Sequence, residues 1–150
     1  MEAHEKIRSE IEVFLKKLHI TADSIEVKEH KLHPIFSIQT KDSALLIGFQ
    51  GETLQALNYI IKKITKRNDE ELKFLVDVNG YQERRLKELE KQGERSADRA
   101  RAFKREVELE PMSAYERMVI HALFTHDPHI NTSSVGEGKF RRVVLRYSGE

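Results

Sequence analysis

Residues 46–57 read Leu46-Ile47-Gly48-Phe49-Gln50-Gly51-Glu52-Thr53-Leu54-Gln55-Ala56-Leu57. Before the glycines, Ser43 to Ile47 suit a short helix that Asp42 caps and Gly48 ends. Behind Gly51, the apolar positions Leu54, Leu57, Ile60/Ile61 and Ile64 recur at helical spacing. A second amphipathic helix is therefore predicted to about Arg67. A lone Gly-x-x-Gly is a weak signal, because glycine also relieves backbone strain in any tight helix–helix turn. The elements around the loop give it weight.

Upstream, Ile7, Ile11, Phe14, Leu15 and Leu18 recur at helical spacing between charges. Two strand-like runs follow, Ser24–Lys28 and Ile35–Gln39, the latter entered just after Pro34. Alternation in that second run sets Ile35 against Phe36 and Ile38, so one side of the strand is expected to be core. Downstream, Phe74, Val76 and Val78 alternate on one strand face, and Asn79-Gly80 turns the chain. The order is helix, strand, strand, helix, Gly-x-x-Gly, helix, strand. In that setting the glycines would admit a nucleic-acid backbone, with the N–H groups opening the second helix aimed at phosphate oxygens.

From Tyr81 to Phe103 the chain is mostly polar, with a thin stripe at Leu86, Leu89, Gly93, Ala97 and Ala100. A long helix with one narrow seam fits, and Gly93 is its weakest point by propensity. The domain boundary is placed there, giving domains 1–92 and 93–150. The rest reads strand (Glu106–Leu109), helix (Ser113 to about Phe124), strand (Asn131–Val135), a Gly136-Glu137-Gly138 turn, and strand (Phe140–Tyr147). Ser113-Ala114-Tyr115-Glu116 is a capping box. The fold class is α+β: two small modules joined by a long helix.

Within the second module, Arg117 and His121 stand four apart and share one helix face. A solvated face is the bland reading of such a pair. The final strand sets Arg142 and Arg146 on one side and Val143, Leu145 and Tyr147 on the other, with Lys139 and Arg141 near the hairpin. A helix offering Arg and His beside a basic strand would make a compact phosphate-binding surface. With an unshifted imidazole, binding there is expected to tighten as pH falls toward 6.

Composition bounds the alternatives. The 150 residues are 39% hydrophobic and 34% charged, and 26 basic residues nearly cancel 25 acidic ones for a net charge of +1. That excludes a polycation coating nucleic acid indiscriminately, but not a local basic surface. The absence of cysteine removes disulfides, thiolate metal sites and cysteine nucleophiles. No apolar run approaches the ~20 residues of a membrane helix. With no signal peptide legible, a cytoplasmic protein is expected. His121, His126, Asp127 and His129 lack the i, i+4 spacing of helical metal sites, and Pro128 interrupts them. Glu70-Glu71 sits in a charged turn, and Lys62, Lys63, Lys66 and Arg67 read as an exposed helix face. No P-loop or nucleophile elbow occurs, so no catalytic residue, metal, cofactor or small-molecule substrate is expected.

The first half, about residues 5–80, resembles a type II KH domain on its element order and on Leu46-Ile47-Gly48 with Gly51–Leu57. The match from Gly93 to Tyr147 looks like the small Arg-x-x-x-His (R-three-H) domain of single-stranded nucleic-acid binders, Arg117 and His121 carrying the signature. Val107–Arg117 and Gly138–Val144 resemble the bacterial Jag family, also called KhpB or SpoIIIJ-associated proteins, in which these two domains stand in tandem. An N-terminal Jag domain, which many members carry, is not legible.

The resemblance implies a bacterial binder of single-stranded RNA, or single-stranded DNA, acting after transcription in elongation, division or sporulation. It also implies a small KH-domain protein partner and an association with a YidC-type membrane insertase. Nucleic-acid contacts are expected from Gly48, Phe49, Gln50, Gly51, Arg117, His121, Lys139, Arg141 and Arg142. KH loops commonly carry a basic residue where this chain has Phe49-Gln50. A protein-interaction adaptor that keeps both folds with little affinity for nucleic acid is therefore the competing reading.

Overall fold

The computed structural model describes residues 2–66 and 73–149. Arg67 and Glu70-Glu71 lie outside them. The chain divides into two compact units, Met1–Glu83 and Arg84–Glu150.

The first unit runs α1 (Glu2–Lys17), β1 (Ser24–Lys28), β2 (Ile35–Gln39), α2 (Ser43–Ile47), α3 (Glu52–Thr65) and β3 (Leu75–Val78). Its sheet has the order β1-β2-β3, with β1 antiparallel and β3 parallel to β2. Ile7, Ile11 and Leu15 of α1 and Leu54, Leu57 and Ile61 of α3 form one core with Phe36, Ile38, Val76 and Val78. These are the helical and alternating apolar positions of the sequence, buried together because neither pattern can hide its apolar stripe alone.

The alternation of β2 holds: Phe36 and Ile38 join the core, while Ile35 lies outside that cluster, where it and its parallel partner Leu75 are also buried. β2 is the central strand, and five residues of pattern say nothing about what covers its second face. Asp42 precedes α2 as expected, but its side chain makes no capping hydrogen bond. Its own N–H instead donates to Thr40 Oγ1 at 3.1 Å. Asn79 holds the Thr40 backbone, accepting its N–H at 2.9 Å and donating to its carbonyl at 2.8 Å.

The second unit takes up α4 (Tyr81–Phe103) from Arg84 onward, then β4 (Val107–Glu108), α5 (Ala114–Leu123), β5 (Ile130–Val135) and β6 (Arg142–Tyr147). Its sheet is antiparallel in the order β4-β6-β5. Leu89, Ala97 and Ala100 of α4 share a core with Ile120, Phe124, Val143 and Leu145. The division thus falls at Glu83/Arg84 rather than near Gly93, because the seam of α4 is core to the second unit well before the glycine. Gly93 is also no weak point: a Cβ there would lie 3.0 Å from Leu123 Cδ1 and 3.3 Å from Ile120 Cδ1. The missing side chain lets α4 and α5 approach.

Buried Asp77 organises the entry to α4. It accepts the N–H groups of Val78, Gln82 and Glu83 at 2.7, 2.8 and 3.2 Å, and burial pushes its carboxyl above the usual aspartate range. Among the described residues, no helix is long and apolar enough to cross a membrane.

Candidate functional site

The glycine loop is a tight turn between α2 and α3. Gly48 ends α2 at φ +71°, and Gly51 opens α3 at φ +79°. A Cβ on Gly48 would collide with Thr53 Oγ1, and one on Gly51 would meet Tyr81 Cε1 at 2.9 Å. Both positions therefore require glycine on conformation and on space. Between them Phe49–Gly51 form a single 3-10 turn, with Gln50 in the left-handed region at φ +51°. Phe49 is 75% exposed and Leu45, one turn earlier, 68%. The loop offers water an aromatic ring and an amide, while the Gly48 and Gly51 N–H groups donate to the Ala44 and Gly48 carbonyls at 3.0 and 3.3 Å. Lys62, Lys63 and Lys66 lie exposed on α3 and beyond it, Lys63 over the ring of Tyr59.

In the second unit the capping box forms as the sequence implies. Glu116 N–H donates to Ser113 Oγ at 3.2 Å, and Ser113 N–H to Glu116 Oε2 at 3.3 Å. One helical position on, the Arg117 guanidinium donates to the Met112 carbonyl at 2.7 Å. Met112 N–H in turn donates to the Arg141 carbonyl at 3.2 Å. Arg117 is thereby tied through one residue to the β5–β6 hairpin. One turn along α5, His121 Nδ1 makes a 2.6 Å hydrogen bond with Thr132 Oγ1. That leaves Nε2 as the ring nitrogen for a ligand.

Register decides which cations share this face. Thr132 lies opposite Leu145 and Ser134 opposite Val143, and both partners belong to the core that α5 covers. Opposed residues of an antiparallel pair share a side, so Thr132 and Ser134 flank α5. Ser134 Oγ is buried there with no partner among the described residues. Arg142 and Arg146 alternate with these positions and occupy the other side of the sheet. There Arg142 pairs with Glu108 at 3.3 and 3.4 Å, and Arg146 with Glu106. The basic strand beside the Arg–His helix is therefore corrected. Arg142 faces away from α5 and is largely neutralised. Arg117, Lys139 and Arg141 have no carboxylate partner among the described residues.

Burial, and then the nearby Arg117 charge, hold His121 below the ordinary histidine range. The imidazolium that would tighten binding therefore forms at lower pH than an unshifted imidazole implies. Of the polar loop after α5, Asp127 accepts the His129 N–H at 2.9 Å and pairs with Arg101. Its carboxyl is held below the usual range by that N–H first and by Arg101 after it.

Comparison with known proteins places this geometry. The R-three-H domain family matches residues 84–147, the second unit almost whole. The RNA-binding protein KhpB of Clostridium symbiosum is 33% identical over 128 residues, covering 85% of this chain and 58% of that protein. Its namesake in Bacillus subtilis is 33% identical over 126 residues, covering 82% and 61%. The chain belongs to the KhpB family. A third KhpB, from Lactiplantibacillus plantarum, is 31% identical over 132 residues, covering 87% of this chain and 41% of its own. The chain thus spans about two to three fifths of the length of these KhpB relatives. The R-three-H match begins within one residue of the structural division, at the part of α4 that joins the second core.

Proposed function

We propose that this chain binds single-stranded RNA at two places: the Gly48–Gly51 loop of a type II KH module, and the Arg117–His121 face of the R-three-H module. The observation that carries the reading is the tie from Arg117 through Met112 to Arg141. It holds the Arg117 guanidinium in place on the helix and ties it to the backbone of Arg141, whose own guanidinium is fixed on the Gly136 carbonyl. Positioned guanidinium forks are what grip phosphate oxygens. The KH assignment draws on the helix, strand, strand, helix, loop, helix, strand order and on a tight turn that exposes Phe49 and Gln50 between its two glycines. The relatives' name, RNA-binding protein, agrees. A role after transcription in a bacterium, with a small KH protein and a YidC-type insertase as partners, belongs to the same proposal through the family resemblance. The protein acts without catalysis or cofactor in this reading.

Arg117→Ala is the test. It should weaken binding of a labelled 15-nucleotide RNA by about 1–3 kcal/mol with the thermal midpoint little changed. Wild-type affinity in a folded variant refutes the second site. The adaptor reading has its own support, the exposed Leu45 and Phe49 at a loop without a cation. Replacing Phe49 and Gln50 by Asp separates the two. Loss of RNA affinity supports the KH contact. Loss of a protein partner with RNA affinity intact supports the adaptor.

A further inference from the structure

Phe140 stands 63% exposed in the link between β5 and β6. Single exposed apolar side chains are ordinary on protein surfaces, so exposure alone assigns nothing. What sets Phe140 apart is how firmly its backbone is held. Residues Gly138–Phe140 form a 3-10 turn, closed by Phe140 N–H to the Glu137 carbonyl at 3.1 Å and Arg141 N–H to the Gly138 carbonyl at 3.2 Å. Arg141 Nη1 donates to the Gly136 carbonyl at 3.0 Å, and Arg142 Nη1 to the Phe140 carbonyl at 3.3 Å. The ring is presented to water by a cross-braced turn rather than carried on a loose one.

Its neighbours are cations. Lys139 Nζ lies 5.3 Å from the ring centroid, over one face, and Arg141 follows directly in the chain. The Arg141 carbonyl accepts the Met112 N–H, and Met112 in turn holds Arg117. Phe140 therefore sits at the end of the bonded path that starts at the Arg–His helix. An aromatic face among phosphate-binding cations is what a single strand needs at each nucleotide: the ring stacks on the base while the cations hold the backbone.

We infer that Phe140 is a base-stacking residue of the R-three-H module, taking one unpaired base of a single strand on the ring face that Lys139 leaves open. The inference rests on the RNA-binding reading above and adds to it the base contact that the phosphate-directed residues lack.

The chain has no tryptophan, so Phe140→Trp supplies a single fluorescent reporter in the full-length chain. The probes are a mixed-sequence 15-nucleotide single-stranded RNA and an abasic strand of the same length. Phe140→Ala should bind the RNA about five- to a hundredfold more weakly than wild type and the abasic strand equally well. Phe140→Trp should retain affinity, with its indole emission quenched as RNA is added. Unchanged RNA affinity in Phe140→Ala, or an indole indifferent to saturating RNA, overturns the inference while RNA binding itself stands. A protein-docking role for the ring gives that same unchanged affinity and overturns it too. If the wild-type chain binds neither strand, the RNA-binding reading fails first and the stacking role falls with it. Matching thermal midpoints across the three proteins exclude unfolding as the cause.

Discussion

His121 gains a proton less readily in this fold than in the unfolded chain, because burial and Arg117 both oppose the imidazolium. His33 is shifted the same way, chiefly by burial. When a histidine's folded pKa lies below its unfolded value, the unfolded state takes up the proton first. Stability from these groups is complete above about pH 6.5 and declines as pH falls below it. The urea midpoint should therefore drop between pH 7.5 and 5.5, and His121→Gln should lose part of that drop. An identical drop in the variant would show that His121 is not desolvated as described. Legibility at this scale follows the range of the interaction. Ser113 and Glu116 are three apart, and their pairing is plain from sequence. Asn58 is not: it bonds the backbone of Val76 in both directions, donating at 2.9 Å and accepting at 2.8 Å. Only the packing of α3 beside β3 creates that role. Asp77 is hidden for a similar reason, reading as a polar position in an alternating strand.

Elements are legible where their spacing is regular and bounded by turn residues, and misread where meaning depends on a neighbour. The bounds of β1, β2, α2 and α4 fall as the spacing predicts. The alternation of β6 is also right: Val143 and Leu145 are buried in the core under α5. What alternation lacks is the other strand: Glu108 of β4 lies opposite Val144, on the side where it meets Arg142. Gly93 is the parallel case for helices. Propensity marks it as a flaw, whereas packing makes it the place where α4 and α5 meet. Gly93→Val adds a three-carbon, β-branched side chain against Leu123 and Ile120 within a helix, and overpacking of this kind costs about 1–3 kcal/mol. The urea midpoint should fall accordingly, with the far-ultraviolet helix signal retained. A variant as stable as wild type would mean that the two helices do not meet at residue 93.

At the scale of the whole chain, near-neutral net charge means that the proposed RNA binding must rest on local cations. By sequence Arg142 counts among them, but its pairing with Glu108 changes the sum. In the proposed reading Arg117, Lys139 and Arg141 remain, while the glycine loop carries no cation and its Gly48, Gly51 and Glu52 N–H groups are bonded within the turn. For single strands each neutralised phosphate adds about 0.7 to the slope of log affinity against log salt, so about three phosphates give a slope near −2. Arg141→Gln should flatten that slope by roughly 0.7 units while also weakening binding at every salt concentration. Arg142→Gln should leave the slope unchanged, since its charge is already spent on Glu108. Affinities for a 15-nucleotide RNA, measured from about 50 to 300 mM salt in the full chain and both variants, decide the matter. If Arg142→Gln flattens the slope as much as Arg141→Gln, the Glu108 pair opens on binding and the far side of the sheet also carries RNA. A slope near −4 in the wild type points to the lysines of α3, and with them to a KH module that grips phosphate by charge.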